Sequence, residues 1–516
     1  MTNSFGDFAR AVGLPAVKRA AGVATRLLPI PQPTLLVGAG ASTRLAQTLA
    51  AFGHRKLLVV TDAMIVQLGL LDDFIAALDA AGSAHHVYAE ITADAPIPQV
   101  EKGIALYRHK GCDAIVAFGG GSVMDAAKAI GLAVANDRHP RRLVGYFRGL
   151  HAPPPLYAVP TTAGTGSEVT VAAVISDPAR GRKLVIADTR LVPQMAALDP
   201  LLMVGLPPAV TAATGIDALT HAIEAYIGYW STAFTDRMAL AAVGMIFENL
   251  PRAWADGSNV AARENMALAS TYAGLAFTRA NVGNVHAIAH QLGGKYHTPH
   301  GLANAIMLPH VLRFSAPAIT DRLATLALHA GAAGADAPRE RRAAAFLDAV
   351  EALARAVAIP ATLDALQPAD IPALARAACR EADTSYPVPR VMTEGDCEAM
   401  LRRVLPPAAA AQTGATAPAP RKSAAARAAR ATGPAAGPAR STPARATGPG
   451  DAADRPAERS ADRTTGRTAA RTSNRAAPGS PRGAVRSSAR SAARSSSRSP
   501  APRSAKRPTK PAAGEG

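Results

Sequence analysis

Aromatic residues are scarce in this chain, at 4% of 516 residues, and cysteine occurs three times, as Cys112, Cys379 and Cys397. Three scattered thiols suit neither a disulfide framework nor a zinc knuckle, and they fit a reducing compartment. No apolar run reaches the ~20 residues that span a bilayer, so no membrane association is expected. The first residues, MTNSFGDFARAVGLPAVKRA, lack the sustained apolar stretch of a secretory signal. A cytoplasmic protein is the expectation. After Leu405 the absences sharpen, because no Phe, Tyr, Trp, Ile, Leu or Met follows. A segment of that kind cannot bury enough apolar surface to offset its chain entropy, which predicts a disordered tail over 406–516.

Charge divides the chain at the same place. From Pro406 to Gly516 there are 21 Lys and Arg against 5 Asp and Glu, a net +16, which leaves +2 of the total +18 for residues 1–405. Arginine recurs every fourth residue at 455, 459, 463, 467, 471 and 475, and again from Arg482 to Arg498. Those side chains would line one face of a helix formed on a polyanion such as a nucleic acid. Binding of that kind is independent of sequence and weakened by salt. The tail has no aromatic platform for stacking bases. A passive solvated extension, or translation beyond a disrupted stop codon, is the competing reading of such a composition.

The body carries ample Val, Ile, Leu and Ala. From Pro31 to Asp199, short apolar runs alternate with helix-like segments. Thr34–Gly38, Lys56–Thr61, Ala84–Ala89 and Asp113–Phe118 read as strands, and Ser42–Phe52, Ala63–Ala80 and Pro98–His109 as helices between them. Strand alternating with helix predicts a Rossmann-like, parallel, doubly wound α/β domain, with ligands at the carboxyl ends of its strands. After Pro207 the strand signals stop, and Pro208–Ile227, Ser231–Asn249, Asn259–Phe277 and Asn284–Leu292 are helix-compatible. The expected division is an α/β domain over 1–204, an all-helical domain over 205–405 and the tail over 406–516.

Two turns in the first domain suit a dinucleotide. The strand ending at Phe118 runs into Gly119-Gly120-Gly121-Ser122 and then a helix, so backbone N–H groups face any bound phosphate. The turn is neither a Walker loop nor a full GxGxxG fingerprint, and alone it is a weak signal. Thr161-Thr162-Ala163-Gly164-Thr165-Gly166-Ser167 offers hydroxyls for a pyrophosphate or ribose, or is simply a solvated loop. Asp62, at the end of a strand, can accept from a ribose diol and repel a 2′-phosphate, favouring NAD over NADP. It is equally suited to capping the next helix.

The strongest pattern lies in the helical half. Asp217 and His221 are four apart on a helix, His286 and His290 repeat that spacing on another, and His300 follows a turn. One carboxylate with imidazoles suits Fe(II) or Zn(II), and an open coordination position polarises an alcohol or carbonyl oxygen. Spacing alone does not exclude His297 or His310 as ligands.

The stretches CDAIVAFGGGSVMDAAKAI (112–130), PTTAGTGSEVT (160–170), ATGIDALTHAIEAY (213–226) and VHAIAHQLGGKYHTPHGLANAIMLPHV (285–311) together resemble the iron-containing, or group III, alcohol dehydrogenase family. The resemblance covers about residues 30–405. It implies hydride transfer between a small alcohol or aldehyde and NAD, with the active site between the two domains. It assigns the metal, Fe(II) or Zn(II), to Asp217, His221, His286 and His300, and places His290 beside substrate as a non-ligand. It assigns Asp62 to the adenosine ribose and Gly121 and Ser122 to the pyrophosphate. Gly120, Asp125, Thr161, Thr162 and Lys183 fall at further cofactor-binding positions. The alcohol proton would leave through water, a ribose hydroxyl or His290, and a homodimer or larger assembly is implied. Two departures stand out. Ala95-Pro96 replaces an Asn-Pro common among relatives, and the tail matches nothing in the family. Alternatives within the class are a maleylacetate reductase without the metal and a zinc-dependent, glycerol dehydrogenase-like enzyme. A polyanion-binding protein acting through its tail is the alternative outside it.

Overall fold

The structure, a computed structural model, describes Gly22, Arg26 and residues 28–407. Apart from Pro406 and Pro407, the basic tail lies outside the described residues, as does the N-terminal stretch read for a signal.

The first half is a six-stranded, all-parallel sheet. Its order is β1 (Thr34–Val37), β9 (Met195–Leu198), β6 (Leu156–Pro160), β4 (Ala114–Gly119), β2 (Lys56–Val60) and β3 (Ala84–Tyr88). Strands buried on both faces read as unbroken apolar runs, as β2 does with Lys56-Leu-Leu-Val-Val60. Leu57 and Val59 face a layer with Leu45, Phe74 and Phe118, while Leu58 and Val60 face one with Val100, Ile115 and Ile130. Helices α1 (Ala41–Ala51) and α3 (Asp72–Ala80) cover the first face. Helices α4 (Ile97–Lys110) and α5 (Gly121–Asn136) cover the second.

The chain leaves β2 towards the β3 edge and leaves β4 towards β6 on the other side. Between β2 and β4 the winding therefore reverses, and a crevice at such a reversal is where doubly wound sheets take their ligands. Asp62 follows β2 there and the triple glycine follows β4.

The predicted strands agree with β1–β4 to within one or two residues. The span 63–80 is two helices rather than one, α2 (Ala63–Gln67) and α3, because the chain turns at Gly69 with φ +67°. A small second sheet was not expected. It pairs β7 (Ala172–Asp177) antiparallel with β8 (Arg182–Ala187), turning at left-handed Gly181, with β5 (Gly145–Tyr146) alongside β8. Its strands are half-buried and flanked by charge, so they carry a weak apolar signal.

The second half is helical, and no strand occurs after Leu198 among the described residues. Its elements are α6 (Pro208–Ile227), α7 (Ala233–Ala255), α8 (Val260–Ala280), α9 (Asn284–Tyr296), α10 (His300–Ser315), α11 (Thr320–His329), α12 (Arg339–Ala356), α13 (Ile371–Ser385) and α14 (Glu394–Arg403). They enclose one continuous apolar core. Helix α7 runs past the predicted end at Asn249 through Pro251, and α9 continues through Gly293 and Gly294 until His297 turns left-handed at φ +54°.

The two halves meet without side chains between them at one point. Gly166, at φ +58°, lies so close to Gly274 of α8 that a Cβ there would be 2.8 Å from the Gly274 Cα. A Cβ at Gly274 would lie 2.5 Å from Val169 Cγ2 and 2.9 Å from the Gly166 carbonyl. Gly274→Ala is expected to destabilise the protein by about 1–3 kcal/mol, the usual cost of overpacking a fitted contact. Urea unfolding of wild type and variant measures it, and an unchanged midpoint would show that the contact yields.

Candidate active site

Asp217 and His221 sit one turn apart on α6, His286 lies in the first turn of α9, and His300 opens α10. The fold brings the four together, with one donor atom from each within 4.8 Å of the others. Asp217 Oδ1 is 3.9 Å from His286 Nε2 and 3.7 Å from His300 Nε2. His221 is stacked between Phe277, at 4.2 Å between ring centroids, and His286, at 4.6 Å. His297 is exposed and, like His310, lies outside the set.

Burial keeps these imidazoles neutral. It drives His286 well below the usual histidine range and His300 down to about 4. It also lowers His221, against the opposing pull of Asp217. Neutral imidazole is the metal-binding form. The donor set is therefore three lone pairs and a carboxylate, which fits a borderline divalent cation. Asn304 of α10 supports this fit, because its side-chain nitrogen approaches three of the four donors. It is 2.7 Å from Asp217 Oδ1 and 3.2 Å from both His286 Nε2 and His300 Nε2. Lone pairs converge on one electropositive position.

Glu224 braces the set from behind. It is seven residues beyond Asp217 and three beyond His221, so it shares their face of α6. Its carboxylate accepts from His286 Nδ1 at 2.6 Å and from the backbone N–H groups of Gly283 and Val285, each at 2.7 Å. Helix α9 has no side-chain cap of its own, so Glu224 caps it across the core. Gly283 permits the approach, since a Cβ there would fall 2.8 Å from Glu224 Oε1. Burial pushes the Glu224 carboxyl up to about 7, while the donated hydrogen bonds oppose the rise. A carboxylate behind a ligating histidine fixes its tautomer and orientation.

His290 stands beside the set and outside it. Its ring stacks on His300 at 5.3 Å and meets His286 edge-on at 5.9 Å, while Nδ1 bonds Glu381 at 2.6 Å.

The cofactor-type turns form a second cluster. Gly120 and Gly121 open α5, and a Cβ at Gly121 would meet Thr165 at 2.8 Å, so the glycine turn and the 161–167 loop are packed together. Ser122 Oγ accepts from the Asp94 N–H at 3.1 Å. Thr161 is buried, its N–H bonded to the Gly119 carbonyl, while Thr162 is partly exposed beside Gly120. Asp62 caps α2, accepting from the Ile65 N–H at 2.9 Å through Oδ1. Asp125 faces inward, with one oxygen on Ser167 Oγ and the other on the Val174 N–H. Lys128, one turn later and fully buried, donates to Ser167, Thr170 and the Ala172 carbonyl at 2.6–3.1 Å. Burial lowers its pKa to about 8.

Metal-type and cofactor-type clusters adjoin. The 161–167 loop packs on α6 at Gly164, where a Cβ would be 2.7 Å from Thr214, one turn before Asp217. Lys183 of β8 pairs with Asp94 at 2.7 Å, and its Nζ reaches within 3.8 Å of where a Cβ at Gly293 of α9 would stand. Four contributors escaped the sequence reading: Glu224, Asn304, Glu381 and Asp94. Glu224 was legible in principle, since its spacing continues the Asp217/His221 stripe.

A nucleotide-type sheet whose 161–167 loop packs on the helix that carries half of an Asp/His₃ donor set has the architecture expected of a metal-site dehydrogenase. Residues 32–200 match the family model described as iron-containing alcohol dehydrogenase. Residues 211–405 match the model for the C-terminal part of the same family. The chain is 45% identical to a probable alcohol dehydrogenase, EutG, of Salmonella typhimurium over 294 residues, 57% of this chain and 74% of the relative. It is 40% identical to the NAD-dependent methanol dehydrogenase of Bacillus methanolicus over 299 residues, 57% of this chain and 77% of that one. Among solved structures, a 1,3-propanediol oxidoreductase superposes with a TM-score of 0.71 at 37% identity, over 73% of this chain and all of the other. The chain belongs to the iron-containing alcohol dehydrogenase family, and it is an oxidoreductase.

Replacing a bracing group should weaken metal binding. Glu224→Gln is expected to cost roughly 10–100-fold in affinity for Fe(II) or Zn(II), the range for an outer partner of a ligating histidine, and His286→Ala more. Metal content after dialysis against graded chelator tests both, and wild-type retention by His286→Ala would remove it from the donor set.

Proposed function

We propose that this protein oxidises short primary alcohols or diols with NAD, or reduces the matching aldehydes with NADH, at a divalent metal held by Asp217, His221, His286 and His300. The observation that carries the reading is the largely buried, neutral His₃Asp set, with His300 half-exposed, adjoining the two cofactor-type turns. The similarity to a methanol dehydrogenase and a propanediol oxidoreductase favours a small, unbranched substrate. Fe(II) is the first choice and Zn(II) the second for these donors. Residues 1–204 form the cofactor half and 205–405 the metal half. A cytoplasmic location suits its three scattered, free cysteines.

When bound, a divalent ion supplies Lewis acidity towards an alcohol or aldehyde oxygen. NAD supplies the hydride acceptor. The protein's part is to place and desolvate the reactants. Gly120, Gly121 and Ser122 present the start of α5 to the pyrophosphate, and Asp62, through its uncommitted oxygen, meets the ribose diol. Thr161, Thr162 and Lys183 orient the nicotinamide half, with Asp94 holding Lys183 in place. Asp125 acts from below, fixing the 161–167 loop through Ser167. His290, beside His300, receives the alcohol proton as the hydride departs from carbon.

NADH formation by the full chain, loaded with Fe(II) or Zn(II) and offered short alcohols and diols, tests the reading. Chelator-sensitive turnover is the expected result, with NAD preferred over NADP, and Asp62→Gly is expected to narrow that preference. Metal-independent turnover, or a wild type that prefers NADP, would contradict it.

Two further parts of the reading concern association. The exposed apolar side chains Met64, Val66 and Leu68 beside the β3 edge, with Val87 on the edge strand itself, suit a homodimer or larger assembly. The tail, at +16, suits sequence-independent contact with a polyanion. Retention of the full chain on DNA should fall with salt and vanish on truncation to 1–405, whereas equal retention of both would exclude the tail from binding.

A further inference from the structure

We infer that Glu381 is a positioning residue, which holds His290 with Nδ1 protonated and Nε2 free to accept the alcohol proton. The inference rests on the reading of His290 as proton acceptor and assigns the group that prepares it.

Glu381 lies in the last turn of α13 and reaches across to α9. Its Oε1 accepts from His290 Nδ1 and from the Tyr386 hydroxyl, both at 2.6 Å, and its Oε2 accepts from Gln291 Nε2 at 2.7 Å. Burial raises the Glu381 pKa, but the hydrogen bonds from His290, Tyr386 and Gln291 outweigh it and hold the group below its ordinary value. Burial, followed by the charge of Glu381, drives the Tyr386 phenol well above its ordinary value, so it remains a donor. An ionised carboxylate only accepts hydrogen bonds. The atom of His290 facing it must therefore carry hydrogen, and in a neutral imidazole that leaves the lone pair on Nε2. Among the described residues, nothing bonds to Nε2.

The ring cannot easily reverse. Turning the ring over would break the 2.6 Å bond between Nδ1 and Glu381. Two oxygens shared among three donors also fix the carboxylate, since Gln291 is one residue from His290 on α9. In the forward reaction the alcohol O–H bond breaks and its proton passes to His290 Nε2. The C–H bond breaks with its electron pair, which goes as hydride to NAD. His290 then carries a positive charge, and Glu381 stabilises that imidazolium at the far nitrogen. In reverse, Nε2 returns the proton to the oxygen as hydride reaches the carbonyl carbon.

A merely structural Glu381, stitching α13 to α9, would show itself in stability, NADH affinity and metal content. A positioning Glu381 would show itself in kcat. The test uses the full chain loaded with Fe(II), comparing wild type, His290→Asn and Glu381→Gln. General acid–base catalysis contributes about 10²–10⁴-fold, so His290→Asn should lower kcat by that order. Glu381→Gln should lower kcat by roughly 10–100-fold, the range for an outer partner, with KM, NADH affinity, metal content and Tm unchanged. Nitrogen NMR of ¹⁵N-histidine-labelled, metal-free protein gives a readout independent of turnover. Its His290 resonances, assigned by difference with His290→Asn, should show a protonated Nδ1 and an unprotonated Nε2 in wild type. An Nε2-protonated wild type would overturn the inference, and so would a Glu381→Gln enzyme with wild-type kcat. If His290→Asn is slow and Glu381→Gln is not, the positioning role alone fails. If His290→Asn turns over like wild type, the proton-acceptor reading fails with it.

Discussion

The helical half depends on one buried carboxylate. Glu224 sits in the core with only 3% of its surface exposed, where an uncompensated charge would be prohibitive. Its three short hydrogen bonds come from the first turn of α9, two from backbone and one from His286. The same contact therefore ends the exposure of the α9 N-terminus, locks α6 to α9 and aims His286 Nε2 at the other donors. Gly283 is required by this closeness rather than by its own backbone angle. Packing and site geometry are thus one arrangement here, since the group that satisfies the helix also orients His286.

The α/β half solves a similar problem with the opposite charge. Lys128 is buried along its whole side chain, and oxygens of Ser167, Thr170 and Ala172 surround its ammonium. Asp125 and Glu168 are buried close enough to act on it electrostatically. The effect is to fasten the 161–170 loop to α5, beside the glycine turn that opens it. Glu168 in turn accepts from Thr271 of α8 at 2.7 Å, carrying the connection into the helical half. The two turns are joined through this buried interior as well as by the close packing of the glycines that line them.

His290 links the two arrangements. Its sequence spacing is that of a ligand, four residues after His286, yet an imidazole that spends Nδ1 on Glu381 and stacks on His300 stands beside the donor set. Periodicity places a side chain on a helix face. It does not say how far along the face the other donors reach, and that distance sets His300 within the donor cluster and His290 beside it.

Much was legible from residue order alone. Apolar runs alternating with helical spacing determine a parallel sheet, because strands buried on both faces read as unbroken apolar runs while helices repeat every 3.6 residues. The i,i+4 pairs determine that Asp217 and His221, and His286 and His290, share faces. The composition after Leu405 sets that stretch apart from the body, and beyond Pro407 it lies outside the described residues. Other features depended on distant parts of the chain. The β7–β8 hairpin is held by packing that its short, charged strands do not announce. Asp62 could cap a helix or meet a ribose, and folding gave it the cap through one oxygen and left the other. Glu224 with Gly283, Asn304 with Asp217, and Glu381 with His290 are 59, 87 and 91 residues apart. Local periodicity carries no information over such separations, because only the closing of the core brings those atoms within hydrogen-bonding distance.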